Sequence, residues 1–245
     1  MSGFAIMGYS ICSEWLRHPF LSALACLALS PAPAFADALQ QQVLAGARAV
    51  SSEDYAFTQM INSQRSGEAA KDYVMRYDPK RAKGARWTLI TAEGRAPTAK
   101  EVSGFAKRAN AVPVPSYSEI AKWFGAPATR IATSKDSVTY RFAALPLGTI
   151  KMPGQDISAQ TSAEAVVNVA GPAPFVERVR ITASKPFRIM LVAKIERFSA
   201  TATYQMLPGG RPAIVANSSD LSGSMMGKSG TFKTRTRFTD MRWVR

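Results

Sequence analysis

Between Phe187 and Leu207 the chain carries strand-forming residues without a Gly or Pro, and the turn signal Pro208-Gly209-Gly210 ends the run. As one extended strand it would span roughly 70 Å, several times an ordinary strand, so it must bend. Leu191, Ala193 and Ile195 share one face. Beyond Arg197 the apolar parity passes to Phe198, Ala200, Ala202, Tyr204 and Met206. Such a slip predicts a bulge or sharp coil near Glu196 to Phe198. The run reads as part of a long, curved, antiparallel strand pair with a sheet wrapped around it, and the concave face is where a ligand site is expected.

The start of the chain reads as an export signal. Arg17 and His18 precede an apolar run over 20–29, and Ala34-Phe35-Ala36 has the small-x-small pattern of signal-peptidase cleavage. The run is too short to be an uncleaved membrane span, and Ala23-Leu24-Ala25 before Cys26 lacks the leucine expected of a lipid-modified cysteine. The expectation is a soluble periplasmic protein beginning at Asp37, with residues 1–36 removed and 37–245 forming one domain. That leaves 209 of the 245 residues, enough for one substantial core.

Both cysteines, Cys12 and Cys26, and the one histidine, His18, lie in the leader. Residues 37–245 therefore contain no disulfide, no His or Cys metal ligand, no Ser-His-Asp triad and no Cys nucleophile. The leader carries one Arg and one Glu, so its loss leaves the formal charge at +14. That surplus favours anionic partners, namely a membrane surface or acidic envelope proteins, and export argues against nucleic acid. A basic surface that only aids solubility is the plainer explanation.

Residues 38–50 have helical apolar spacing. Strands are expected over 55–61, 72–77 and 86–91, with a turn at 62–67 and a basic loop at 78–84. Thr98-x-x-Glu101 and Ser116-x-x-Glu119 read as capping boxes of two inserted helices, the second with Ile120, Trp123 and Phe124 on its apolar face. The stiff apolar link 111–115 between them suits either a lid hinge or packing on the sheet. Alternating strands follow over 138–144, 163–169 and 175–183. The Pro/Gly/polar loop 146–160 has a length that is often functional. Residues 217–230 read as a small-residue turn before a last strand over 231–239. The total is about ten strands and three helices.

No motif carries catalysis. Gly223-Ser224-Met225-Met226-Gly227-Lys228-Ser229 has one residue too few between its glycines for a phosphate-binding loop, and a strand follows it instead of a helix. Lys228-Ser229-Gly230 lacks the Ser-x-x-Lys partner that penicillin-recognising enzymes require. Glu164, Glu177 and Glu196 lie among polar positions or beside Arg, where solvated ion pairs explain them. No enzyme activity, cofactor or metal is expected. What remains is the apolar set Tyr55, Phe57, Tyr73, Met75, Trp87, Tyr140, Phe142, Phe198, Tyr204, Phe232 and Phe238, which fits a filled core or a cavity lined for acyl chains. Lys233, Arg235 and Arg237 alternate with apolar and Thr neighbours, so they suit either a guard on a sheet edge or a surface for anionic headgroups.

An exported chain with an opening helix, long curved strands, two inserted helices and a basic last strand resembles the periplasmic lipoprotein carriers of the LolA/LppX type. Met226-Gly227-Lys228-Ser229-Gly230-Thr231-Phe232-Lys233, running on through Phe238-Thr239-Asp240-Met241-Arg242, is similar to the closing strand of outer-membrane lipoprotein-sorting proteins. Pro174-Phe175-Val176-Glu177-Arg178-Val179 with Lys185-Pro186-Phe187 is similar to the strand before it. The family's early Arg-Pro-x-x-Phe-Arg-Trp segment is matched only by Arg76-Tyr77-Asp78-Pro79 and Arg86-Trp87, so its lid residues are not carried over. The resemblance implies an α+β, mostly β fold, an unclosed barrel with helices capping its concave face. It also implies non-covalent carriage of a lipid or lipidated protein by a monomer. The rival expectation is an envelope interaction protein with a filled core that docks through its basic face.

Overall fold

Asp37 opens the first helix, α1 (Ala38–Arg48), through a reciprocal cap. Its carboxylate accepts from the Gln40 amide at 2.9 Å, and the Gln40 side chain accepts from the Asp37 amide at 3.1 Å. The computed structural model describes residues 36–109, 114–152, 155–189, 193–225 and 227–244. Residues 1–35 of the expected leader and most of the link 111–115 lie outside them. Val43, Leu44 and Ala47 form the buried face of α1. Gln40, also buried, donates to the carbonyls of Phe124 and Ala126 at 2.8 and 3.3 Å, which fastens α1 to the segment after the second inserted element.

The same aspartate is held from the sheet side. Arg130 Nε and the Tyr140 hydroxyl each donate to it at 2.9 Å. Burial pushes its pKa up, but the bonds from Arg130, the Gln40 amide and Tyr140 outweigh this and leave it below the ordinary value. A carboxylate depressed in the folded state stabilises above its unfolded pKa, and the contribution is lost as pH falls through the folded value. Asp37→Ala is therefore expected to cost about 1–2 kcal/mol at neutral pH, chiefly through the lost cap. In urea unfolding followed from pH 7 to pH 3, the gap from wild type should narrow below about pH 4.

The strands are β1 (Tyr55–Arg65), β2 (Lys71–Tyr77), β3 (Trp87–Ala92), β4 (Thr129–Thr133), β5 (Ser137–Phe142), β6 (Lys151–Met152), β7 (Gln155–Asp156), β8 (Thr161–Asn168), β9 (Phe175–Ala183), β10 (Phe187–Ile189), β11 (Ala193–Leu207), β12 (Arg211–Met225) and β13 (Lys228–Trp243). Among the described residues, eleven of them form one antiparallel sheet in the order β3-β2-β1-β13-β12-β11-β9-β8-β5-β4, with β10 added beside β11; β6 and β7 make a separate hairpin. The sheet is large, curved and not closed into a barrel, with a few helices, as expected. The helix α2 (Ala99–Ala109) begins at the expected capping box, where Glu101 accepts from the Thr98 amide at 2.7 Å and its own amide donates to the Thr98 hydroxyl at 3.3 Å. Only Ala109 of α2 is buried.

Four expectations are corrected. Residues 187–207 are not one strand: Phe187 pairs with Ile195 and Ile189 with Ala193, so the chain reverses between β10 and β11. The second inserted helix is a six-residue 3-10 turn over Tyr117–Lys122, although Ile120, Trp123 and Phe124 are buried as expected. Strand β1 continues to Arg65, through two thirds of the expected turn. Residues 217–225 are strand, not turn, and pair with β11 on one side and β13 on the other. Ladder bonds to two neighbours hold these serines extended against their low strand propensity. The predicted irregularity near Glu196 is present as a register shift between Ile195 and Arg197.

Candidate functional site

The sheet sends alternate side chains to two unlike faces. The inner face carries the aromatic set, and most of it is packed: Tyr55, Phe57, Met75, Trp87, Tyr140, Phe142, Phe198, Tyr204 and Phe238 are buried. Phe57 lies 5.2 Å from Tyr77, 5.7 Å from Trp87 and 5.6 Å from Phe238, measured between ring centroids. Phe142 meets Trp123 at 5.1 Å and Phe124 at 5.5 Å. These are the distances of favourable aromatic pairs. The layer of α1 and the 3-10 segment packs on the inner face against β5, β9, β11 and β12.

Tyr117, which the sequence reading passed over, completes that layer. Its ring meets Tyr204 at 5.2 Å, and its hydroxyl accepts from the Val176 amide at 2.8 Å. That amide stands beside a register shift at Val167 in the β8–β9 ladder, where a backbone donor needs a partner other than its neighbour strand. Burial lifts both phenols well above their ordinary pKa, so they stay neutral. Tyr140 is pushed up to about 12 by burial and by the Asp37 carboxylate it bonds. A second, smaller cluster buries Ile157, Phe187 and Phe198, so part of the loop expected to be functional packs over the inner face.

The inner face is least covered at its other end. Tyr73 is half-buried, and Phe232 is 44% exposed. A cleft of about 400 Å³ opens there, between the β1–β2 turn, the start of β11 and the β12–β13 hairpin. Its apolar wall is Ala193, Ile195, Leu221 and Phe232, and Gly223 and Gly230 lie between them. Cross-strand register explains the grouping, because Leu221 pairs with Phe198 and Phe232, and Gly223 with Ile195 and Gly230. Phe232 also lines a second cleft of about 220 Å³ beyond Arg65. Arg65 and Glu68, 3.4 Å apart, stand at the rim of both.

Lys233, Arg235 and Arg237 are exposed on the outer face, opposite the aromatic set. Strand β13 lies between β1 and β12, deep in the sheet, so these cations do not guard an edge. None of the three is among the residues that line the inner cleft. Arg235 donates to Asp220 Oδ1 at 3.3 and 3.2 Å. Among the described residues there is no group of three His, Cys, Asp or Glu side chains placed to hold a metal ion, and no helix is long and apolar enough to cross a membrane.

The fold resembles that of a DUF1329 family protein from Desulfovibrio piger, with TM-score 0.36 and 11% identity over 85% of this chain and 92% of that one. It also resembles a LolA superfamily protein from Nitrosomonas europaea, with TM-score 0.35 and 10% identity over 86% of this chain and 94% of that one. No family model matches the sequence, and no curated protein matches it.

Proposed function

We propose that the chain is an exported, non-catalytic carrier that holds an acyl chain of a lipid or lipidated protein at the open end of its inner face. The observation that carries this reading is Phe232. It is a large apolar side chain left 44% exposed on a face where most of the other aromatics are buried, and it stands between two clefts. A volume of about 400 Å³ is within the range of small-ligand pockets, and its apolar wall suits a ligand whose contacts need no direction. Of the aromatic set, Phe232 lines this cleft, and most of the rest is buried in the packed part of the inner face. The anionic surface of a membrane is the proposed meeting place, since the chain carries a formal charge of +14.

The test is native mass spectrometry with lipid extraction on protein from the periplasm, followed by titration with a fluorescent fatty acid. Wild type should carry an acyl ligand. Phe232→Asp should bind the fatty acid about tenfold or more weakly, because burying a Phe against a ligand is worth about 1.5–3 kcal/mol. Its unfolding midpoint should hardly change, since the residue is exposed in the free protein. Consistent absence of an acyl ligand, with identical titrations for the two proteins, would instead favour the filled-core interaction protein that the aromatic packing also suits.

A further inference from the structure

The outer face has a depression of its own. Four adjacent strands, β9, β11, β12 and β13, frame a trough of about 550 Å³ whose lining includes Arg180, Arg197, Lys233 and Arg235, with a single carboxylate, Asp220. The middle of the trough is small and hydroxylic. Ser199 pairs with Thr182 on one side and Asp220 on the other, and Asp220 pairs in turn with Lys233. Arg180 and Arg235 stand in one transverse row, separated by Thr201 and Ser218. Three strand spacings put them roughly 14 Å apart at the backbone, a gap that two long side chains narrow from both sides.

The carboxylates that face these cations are already engaged. Glu164, the cross-strand neighbour of Arg180, accepts from Arg141 at 3.0 and 2.8 Å. Asp220, the neighbour of Lys233, accepts from Arg235. Among the described residues neither Arg180 nor Lys233 has an ion pair. Arg197 is oriented by a 3.2 Å bond from Nε to the Ser222 hydroxyl, which leaves the end of its guanidinium for another acceptor. A concave patch with four cations against one carboxylate holds a local excess of positive charge that an anion relieves. Guanidinium forks, an ammonium and hydroxyl donors together match phosphate oxygens.

We propose that this trough binds a ligand with two or more phosphate oxyanions, spanning from Arg180 to Lys233. The site opens on the other face of the sheet from the acyl cleft, with Leu221, Ser222 and Thr231 as a wall common to both, and its cations Arg180 and Lys233 do not line that cleft, so it stands or falls independently of it. Its phosphates belong either to a soluble molecule or to headgroups at a membrane surface.

Pyrophosphate titrated calorimetrically into the full mature chain tests the soluble source, and sedimentation with vesicles of phosphatidylglycerol in phosphatidylcholine tests the membrane source. The paired variant is Arg180→Gln with Lys233→Gln. Both residues are exposed and, among the described residues, without ion pairs, so the fold should be kept, as circular dichroism will verify. The control is Arg48→Gln with Lys107→Gln, which removes the same charge from α1 and α2. The expected result is binding in at least one arm, weakened about tenfold or more by the trough variant and changed less than threefold by the control. Pyrophosphate binding identifies a soluble ligand, and vesicle binding alone identifies headgroups. Binding in neither arm, or equal loss in the two variants, overturns the proposal, because the attraction would then be absent or a matter of net charge.

Discussion

Phe142→Ala is expected to lower the stability of the folded chain by about 3–5 kcal/mol, read as a shift of the urea midpoint at unchanged slope. Phe142 is fully buried on β5, and its ring is held by Trp123 and Phe124 from the layer that packs on the sheet. Truncation leaves a void between two rigid layers that relax only in part, so the cavity adds to the lost transfer energy. The size of the effect decides what this part of the inner face is. A residue lining an open cavity would lose little on truncation, and ligand binding would suffer instead. A loss below about 1 kcal/mol would contradict the packed inner face described above.

The second large effect is expected at Gly223. A Cβ built there would lie 2.0 Å from the Lys194 carbonyl oxygen and 2.9 Å from the Ile195 Cα, both backbone atoms that cannot swing aside. The position faces the register shift between Ile195 and Arg197, where β11 bends and presses against β12. Gly223→Ala should therefore cost about 3 kcal/mol, at the upper end of overpacking effects. Because the strain sits in the β11–β12 ladder, hydrogen exchange should rise first at 193–199 and 219–225, while α1 stays protected. Wild-type protection in those strands would show that the bend does not depend on the missing side chain.

Much of this architecture was legible in local pattern. The bulge near Glu196 announced itself because a slip in apolar parity has few other causes, and Thr98 with Glu101 marked the start of α2 because capping chemistry is local. The reversal between Ile189 and Ala193 gave no such sign. The run from Phe187 to Leu207 contains no Gly, Pro, Asn or Asp to mark a turn. Conversely, Ser218, Ser219, Ser222 and Gly223 look like a turn, yet pairing on both sides holds them in strand. For the site, the sequence picked out Lys233, Arg235 and Arg237 as a row. That Arg180 and Arg197 share a trough with them depends on β9, β11, β12 and β13 lying side by side. Strand order is a property of long-range pairing, which no local spacing reveals.

The cap at Asp37 makes the fold sensitive to where the polypeptide starts. A chain trimmed after Ala36 keeps the carboxylate that closes α1 and receives Arg130 and Tyr140, and its new ammonium group still has the Gln40 side chain as acceptor. Trimming one residue further deletes the cap, the ion pair and the tyrosine's acceptor together, and it places an uncompensated positive charge at the positive end of the helix dipole. Two amino termini that differ by this single residue would therefore differ in stability by at least the roughly 1–2 kcal/mol expected of Asp37→Ala.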